Sequence, residues 1–138
     1  MNKNIKCAME EIDINESGEV YAKIKPIGYP KSFIVFFPDG EERYKKKKGD
    51  LLLIELRSLM PLKKSKFKIK KIIVGTNQNH LVDYIGKIVG IDGNNFLVDA
   101  TLPIIVDKEP NFKIGDYVTG GFPHDIQAHL VNEEKNEK

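Results

Sequence analysis

Residues 84–99 read Tyr84-Ile85-Gly86-Lys87-Ile88-Val89-Gly90-Ile91-Asp92-Gly93-Asn94-Asn95-Phe96-Leu97-Val98-Asp99. Two runs rich in β-branched and aromatic residues flank Asp92-Gly93-Asn94. An Asp-Gly pair supplies the positive φ of a tight turn and a side chain that bonds the turn's backbone. The spacing predicts a β-hairpin, with strands over 84–91 and 95–106. Proline has no N–H, so Pro103 makes the second strand an edge strand, bulges it or ends it.

The chain on either side continues in the same style. Val20-Tyr21-Ala22-Lys23-Ile24 alternates until Pro26, and 33–37 is a short apolar run stopped by Pro38-Asp39-Gly40. Residues 51–56 follow Gly49-Asp50 and have the length of a buried strand. Lys66-Phe67-Lys68-Ile69-Lys70 alternates strictly, which predicts a half-exposed strand with lysines outside and Phe67 in the core. Residues 5–14 read as a strand paired to 20–24 across Asn15-Glu16-Ser17-Gly18, with a short helix over Cys7-Ala8-Met9-Glu10-Glu11 as the alternative. Residues 126–131 suit a strand or a short helix, and the polar 132–138 reads as a disordered tail.

One pattern recurs. Gly49-Asp50 and Gly115-Asp116 each precede an apolar strand, and Gly18-Glu19-Val20 and Gly86-Lys87-Ile88 lie upstream at similar distances. Glycine permits the positive φ of such a turn, and aspartate can bond its backbone. Short strands, glycine kinks and Gly-Asp turns resemble small β-barrels of the oligonucleotide-binding and SH3-like sort, best over 84–122 and less well over 18–56. The fold class expected is all-β: one or more small twisted barrels, in which the recurring Gly-Asp is either an ordinary strand-entry turn that occurs twice by chance or the sign of two pseudo-repeated halves sharing a core. A single β domain is expected over 1–131, with a basic half at 1–75 and an acidic half at 76–131. Barrels of this class bind nucleic acids, proteins and sugars alike, so the resemblance assigns no function.

The 138 residues carry a net charge of +2, which hides a polarity. Residues 1–75 hold 17 Lys or Arg against 10 Asp or Glu, and 76–138 hold 5 against 10. Twelve basic residues fall within 43–71, opposed only by Asp50 and Glu55. Such a segment attracts acidic partners. Arg43 and Arg57 are the only arginines, which argues against reading of base edges, a task that leans on arginine. The lone cysteine, Cys7, excludes an internal disulfide and multi-cysteine metal sites, and reads as a small buried apolar residue. Without an apolar signal core or a membrane-length apolar run, the expectation is a cytoplasmic chain with no membrane association.

Catalytic patterns are absent. There is no phosphate-binding glycine loop, no zinc-binding His-Glu-x-x-His and no nucleophile elbow around Ser17, Ser32, Ser58 or Ser65. His124, Asp125 and His129 would align as metal ligands only on a helix. Asp99, Asp107, Glu109 and Asp116 would serve as acid and base only if burial separated their pKa values. The expectation is a non-enzymatic binding module without cofactor or metal.

The strongest functional signal is the basic segment. Arg43, Lys45, Lys46, Lys47, Lys48, Lys63, Lys64, Lys66, Lys68, Lys70 and Lys71 offer cations to a phosphate backbone, and Tyr44 and Tyr29 are candidate stacking platforms. The reading is binding of RNA or single-stranded DNA without sequence specificity. The alternative is a protein-interaction module (a small inhibitor, an immunity- or antitoxin-like protein, or an assembly subunit) that docks an acidic protein. The opposed charges of the two halves also suit head-to-tail pairing of copies.

Overall fold

A computed structural model describes residues 1–38, 48–75, 79–120 and 126–131. Among them are eleven strands and no helix: β1 (Ile5–Ile14), β2 (Val20–Pro26), β3 (Phe33–Phe37), β4 (Leu51–Ser58), β5 (Lys63–Lys64), β6 (Lys71–Val74), β7 (Leu81–Asp92), β8 (Asn95–Asp99), β9 (Pro103–Asp107), β10 (Tyr117–Thr119) and β11 (Ile126–Leu130). The order β1-β2-β3-β11-β4 closes through β1–β4 pairing into a five-stranded barrel, and β4 carries the sheet onward through β9, β8, β7, β10 and β5. One edge of β4 serves both parts. Leu51 to Ile54 pair with β1, and Leu56 to Ser58 pair with β9.

The burial pattern follows the period of two. In β2, Val20, Ala22, Ile24 and Pro26 are buried, and in β3 Phe33, Val35 and Phe37 are. All of these but Pro26 join Cys7, Ile54, Leu56, Tyr84, Ile88, Phe96, Ile104 and Val118 in one apolar cluster that draws on both ends of the chain. At roughly 1.5–3 kcal/mol per fully buried large side chain, this cluster is the main source of stability.

The Gly-Asp repeat is structural. Gly49 has φ +92° and Gly115 φ +101°. Gly49 N–H donates to Met9 C=O (2.7 Å) and Met9 N–H to Asp50 C=O (2.9 Å). Gly115 N–H donates to Ile88 C=O (2.8 Å) and Ile88 N–H to Asp116 C=O (2.9 Å). Met9 and Ile88 each sit at a register shift against the next strand, the mark of a β-bulge. With Met9 matched to Ile88, β1-β2-β3 matches β7-β8-β9, and the strand order β1-β2-β3-β11 mirrors β7-β8-β9-β4.

Four expectations are corrected. Gly18 matches Gly93, since both turn a hairpin with positive φ, whereas Gly86 falls opposite Cys7's place in the repeat. A Cβ on Gly86 would lie 2.6 Å from Asp99 C=O and 2.6 Å from Val98 Cγ1, so this glycine answers to close approach and not to a turn. The run 95–106 is two strands, because Thr101 (φ +72°) turns the chain and Pro103 opens β9 where no N–H is needed. Lys66 to Lys70 form no strand. Ser65 Oγ accepts the Phe67 N–H (3.0 Å) and donates to Phe67 C=O (2.8 Å), which takes the backbone groups a ladder would use. Phe67 is therefore 63% exposed instead of buried.

Candidate nucleic-acid interface

The lysines of 63–71 lie on a strap across the second half of the sheet. β5 pairs with β10, Lys63 opposite Thr119 and Lys64 opposite Val118, and Ser65 N–H donates to Tyr117 C=O at 2.9 Å. Ile85 of β7 pairs with Thr119 on one edge and with Lys71 of β6 on the other. Residues 65–70 must therefore pass over the β10–β7 pair. Buried apolar side chains pin both ends, Leu62 before the strap and Ile72 after it. Leu62 N–H also donates to Glu109 Oε2 at 2.6 Å.

Between those anchors every lysine is exposed: Lys63, Lys64, Lys66, Lys68, Lys70 and Lys71. Phe67 and Ile69 are exposed with them. The combination places cations on both sides of an outward ring. Lys70 Nζ sits 2.9 Å from Asp99 Oδ2. That hydrogen bond, helped by the attraction of the Asp99 charge, raises the Lys70 pKa above its ordinary value against a smaller opposing effect of desolvation. Asp99 also accepts the Thr101 N–H at 3.1 Å, so this aspartate steadies the β8–β9 turn and holds one end of the strap.

The other sequence candidates fall elsewhere. Tyr29, in the β2–β3 connection, is half-buried and packs edge-on against Phe33 (6.2 Å) and onto the core, away from the strap in sequence. Lys48 is exposed beside Gly49. Arg43, Tyr44, Lys45, Lys46 and Lys47 lie outside the described residues, as do His124, Asp125 and 132–138. His129 is on β11, a strand, which removes the helical spacing its proposed metal role required. Among the described residues no group of three metal-ligating side chains occurs. Asp116 accepts the Lys113 N–H, and Asp107 stands 3.8 Å from Arg57 Nη1. With Asp99 and Glu109 bonded as above, the four acids serve separate local contacts. Cys7 is buried, and burial pushes its thiol up to about 12, far from a nucleophile's range.

Sequence reading places Phe67 in the core and gives Asp99 no link to the lysines. The signal for Phe67 was Ser65, two residues earlier, a residue type that captures nearby backbone groups. Nothing local pointed from Asp99 to Lys70, which are 29 residues apart. Among the described residues no helix is long and apolar enough to cross a membrane. Comparison with protein-family models, with curated proteins and with solved structures found no match.

Proposed function

We propose that the chain is a non-enzymatic module that binds single-stranded nucleic acid, RNA or DNA, through the strap 63–71, in the cytoplasm. The observation that carries this reading is Phe67, 63% exposed between the exposed Lys66 and Lys68. Single strands present a charged backbone and free base faces, and binding them needs cations beside rings. A ring exposed in water with lysines on either side meets both needs. Lysines contact phosphates as point charges, so the binding carries no sequence preference.

The test is fluorescence anisotropy of labelled single- and double-stranded RNA and DNA over a salt series. The reading expects single strands to bind more tightly than duplexes, with a log–log salt slope no steeper than about −4, since each neutralised phosphate on a single strand contributes about −0.7. Absence of binding at low salt removes the reading. Equal affinity for duplex and single strand removes the role of Phe67.

A second reading rests on Ile69, 47% exposed beside Phe67. Two apolar side chains ringed by lysines also suit an acidic protein surface. Binding to an acidic protein that survives salt levels abolishing oligonucleotide binding favours this reading over the first.

A further inference from the structure

The internal repeat sets two surface grooves in equivalent places. One, of about 390 Å³, is walled by Gly90, Ile91, Asp92, Asn95, Leu97 and Ile105. The other, of about 420 Å³, is walled by Glu11, Ile12, Asp13, Tyr21, Lys23 and Ile34. The registers match them position by position. Glu11 opposite Lys23 corresponds to Gly90 opposite Leu97, and Asp13 opposite Tyr21 to Asp92 opposite Asn95. Ile34 opposite Lys23 corresponds to Ile105 opposite Leu97.

Met1, Asn2 and Lys3 complete the wall of the first groove, where Lys3 Nζ is 3.1 Å from Asp92 Oδ2. In the second groove Asp13 stands where Asp92 stands. Its carboxylate is exposed and makes no hydrogen bond or ion pair among the described residues. Two further exchanges suit the groove to a cation. Glu11 replaces Gly90 and adds a second carboxylate, and among the described residues lining the groove Lys23 is the one Lys or Arg. Tyr21 replaces Asn95 and adds a ring, backed by Phe36 at 5.3 Å and by the His80 ring edge-on at 5.6 Å. A lysine side chain gains from both, since its methylenes cover an aromatic face while its ammonium reaches a carboxylate.

The geometry points to the groove of Glu11, Asp13, Tyr21 and His80 as a docking site for an extended, lysine-bearing segment of another protein. The site lies on β1, β2 and β3 with His80, which precedes β7, and does not depend on the nucleic-acid reading.

The test uses the full chain, isotopically labelled, and the peptide acetyl-Met-Asn-Lys-Asn-Ile-Lys-amide, which repeats residues 1–6. The expected result is saturable NMR shifts at Tyr21, Lys23, Ile34 and His80, half-complete at or below roughly 1 mM peptide. An analogue with both lysines replaced by glutamine binds at least tenfold more weakly. Asp13→Asn weakens binding at least tenfold and leaves the dispersion of the spectrum intact, whereas Asp92→Asn leaves the affinity unchanged. Absence of saturation, equal binding of the glutamine analogue, or shifts confined to 89–97 overturns the proposal. Concentration-dependent dimerisation that Asp13→Asn abolishes puts a second copy of this chain in the groove and overturns the assignment to a foreign partner.

Discussion

Met9 and Ile88 hold the same station in two different strands: each accepts a hydrogen bond from the N–H of a positive-φ glycine and donates one to the C=O of the aspartate that follows it. Each also marks a bulge in the pairing of its strand with the next one, β1 with β2 and β7 with β8. Two Gly-Asp turns separated by 66 residues thus solve one geometric problem twice, returning the chain onto the first strand of each meander.

This equivalence predicts equal costs at the two glycines. A Cβ at Gly49 or Gly115 meets nothing within 4 Å, so only the backbone conformation opposes a side chain. Gly49→Ala and Gly115→Ala are each expected to destabilise by about 1–2 kcal/mol in urea unfolding. A negligible cost at either position would break the equivalence.

Gly86 and Gly90 separate space from conformation. Neither has a positive φ, and a Cβ at Gly90 finds its nearest neighbour at 3.9 Å, against 2.6 Å at Gly86. The atom blocking Gly86 includes backbone, which cannot rotate away. Gly86→Ala is expected to cost about 2–3 kcal/mol or more, and Gly90→Ala well under 1 kcal/mol. Similar midpoints for the two variants would contradict the close crossing of β7 and β8.

The buried thiol gives a pH dependence of defined sign. Cys7 rises from 9.0 in the open chain to about 12 in the fold. Below pH 9 both states hold the proton and the contribution is complete. As pH rises from 9 towards 12, only the unfolded chain loses it, and stability falls. The difference in stability between the native chain and Cys7→Ala should shrink by roughly 2 kcal/mol between pH 8 and pH 10.5. Chemical unfolding of both proteins at the two pH values measures it, and a constant difference contradicts the burial.

The tie between Lys70 and Asp99 ranks the lysines. Lys70 already has a carboxylate at 2.9 Å, so Lys70→Gln should weaken oligonucleotide binding less than Lys66→Gln or Lys68→Gln. Asp99→Asn removes the competing charge and should tighten binding, steepening the salt slope by about 0.7. Weaker binding by Asp99→Asn, measured by anisotropy at fixed salt, would contradict a phosphate-binding strap.

These residues also show what sequence could and could not reveal. Asp92-Gly93-Asn94 announces its hairpin because the turn chemistry is local, whereas two Gly-Asp pairs alone do not tell a repeat from a strand-entry turn that recurs by chance. The matching of Gly18 with Gly86 failed because spacing alone cannot tell a turn glycine from one that makes room. The alternation of 66–70 misled because lysine and apolar residues at period two describe a strand only while the backbone is available to pair, and Ser65 takes those groups. The mirrored strand order was hidden altogether. It rests on parallel pairings such as Leu56 with Ile104, which join segments 48 residues apart and leave no local trace.

The most direct test of the central claim compares Phe67→Ala with the native chain for a fluorescein-labelled single-stranded 12-mer. Because Phe67 is exposed, its loss should leave the unfolding midpoint unchanged. Removal of one stacking ring should cost about 1–3 kcal/mol of binding, roughly 5- to 150-fold in Kd, at unchanged salt slope. Unaltered affinity in a folded Phe67→Ala protein would contradict the account.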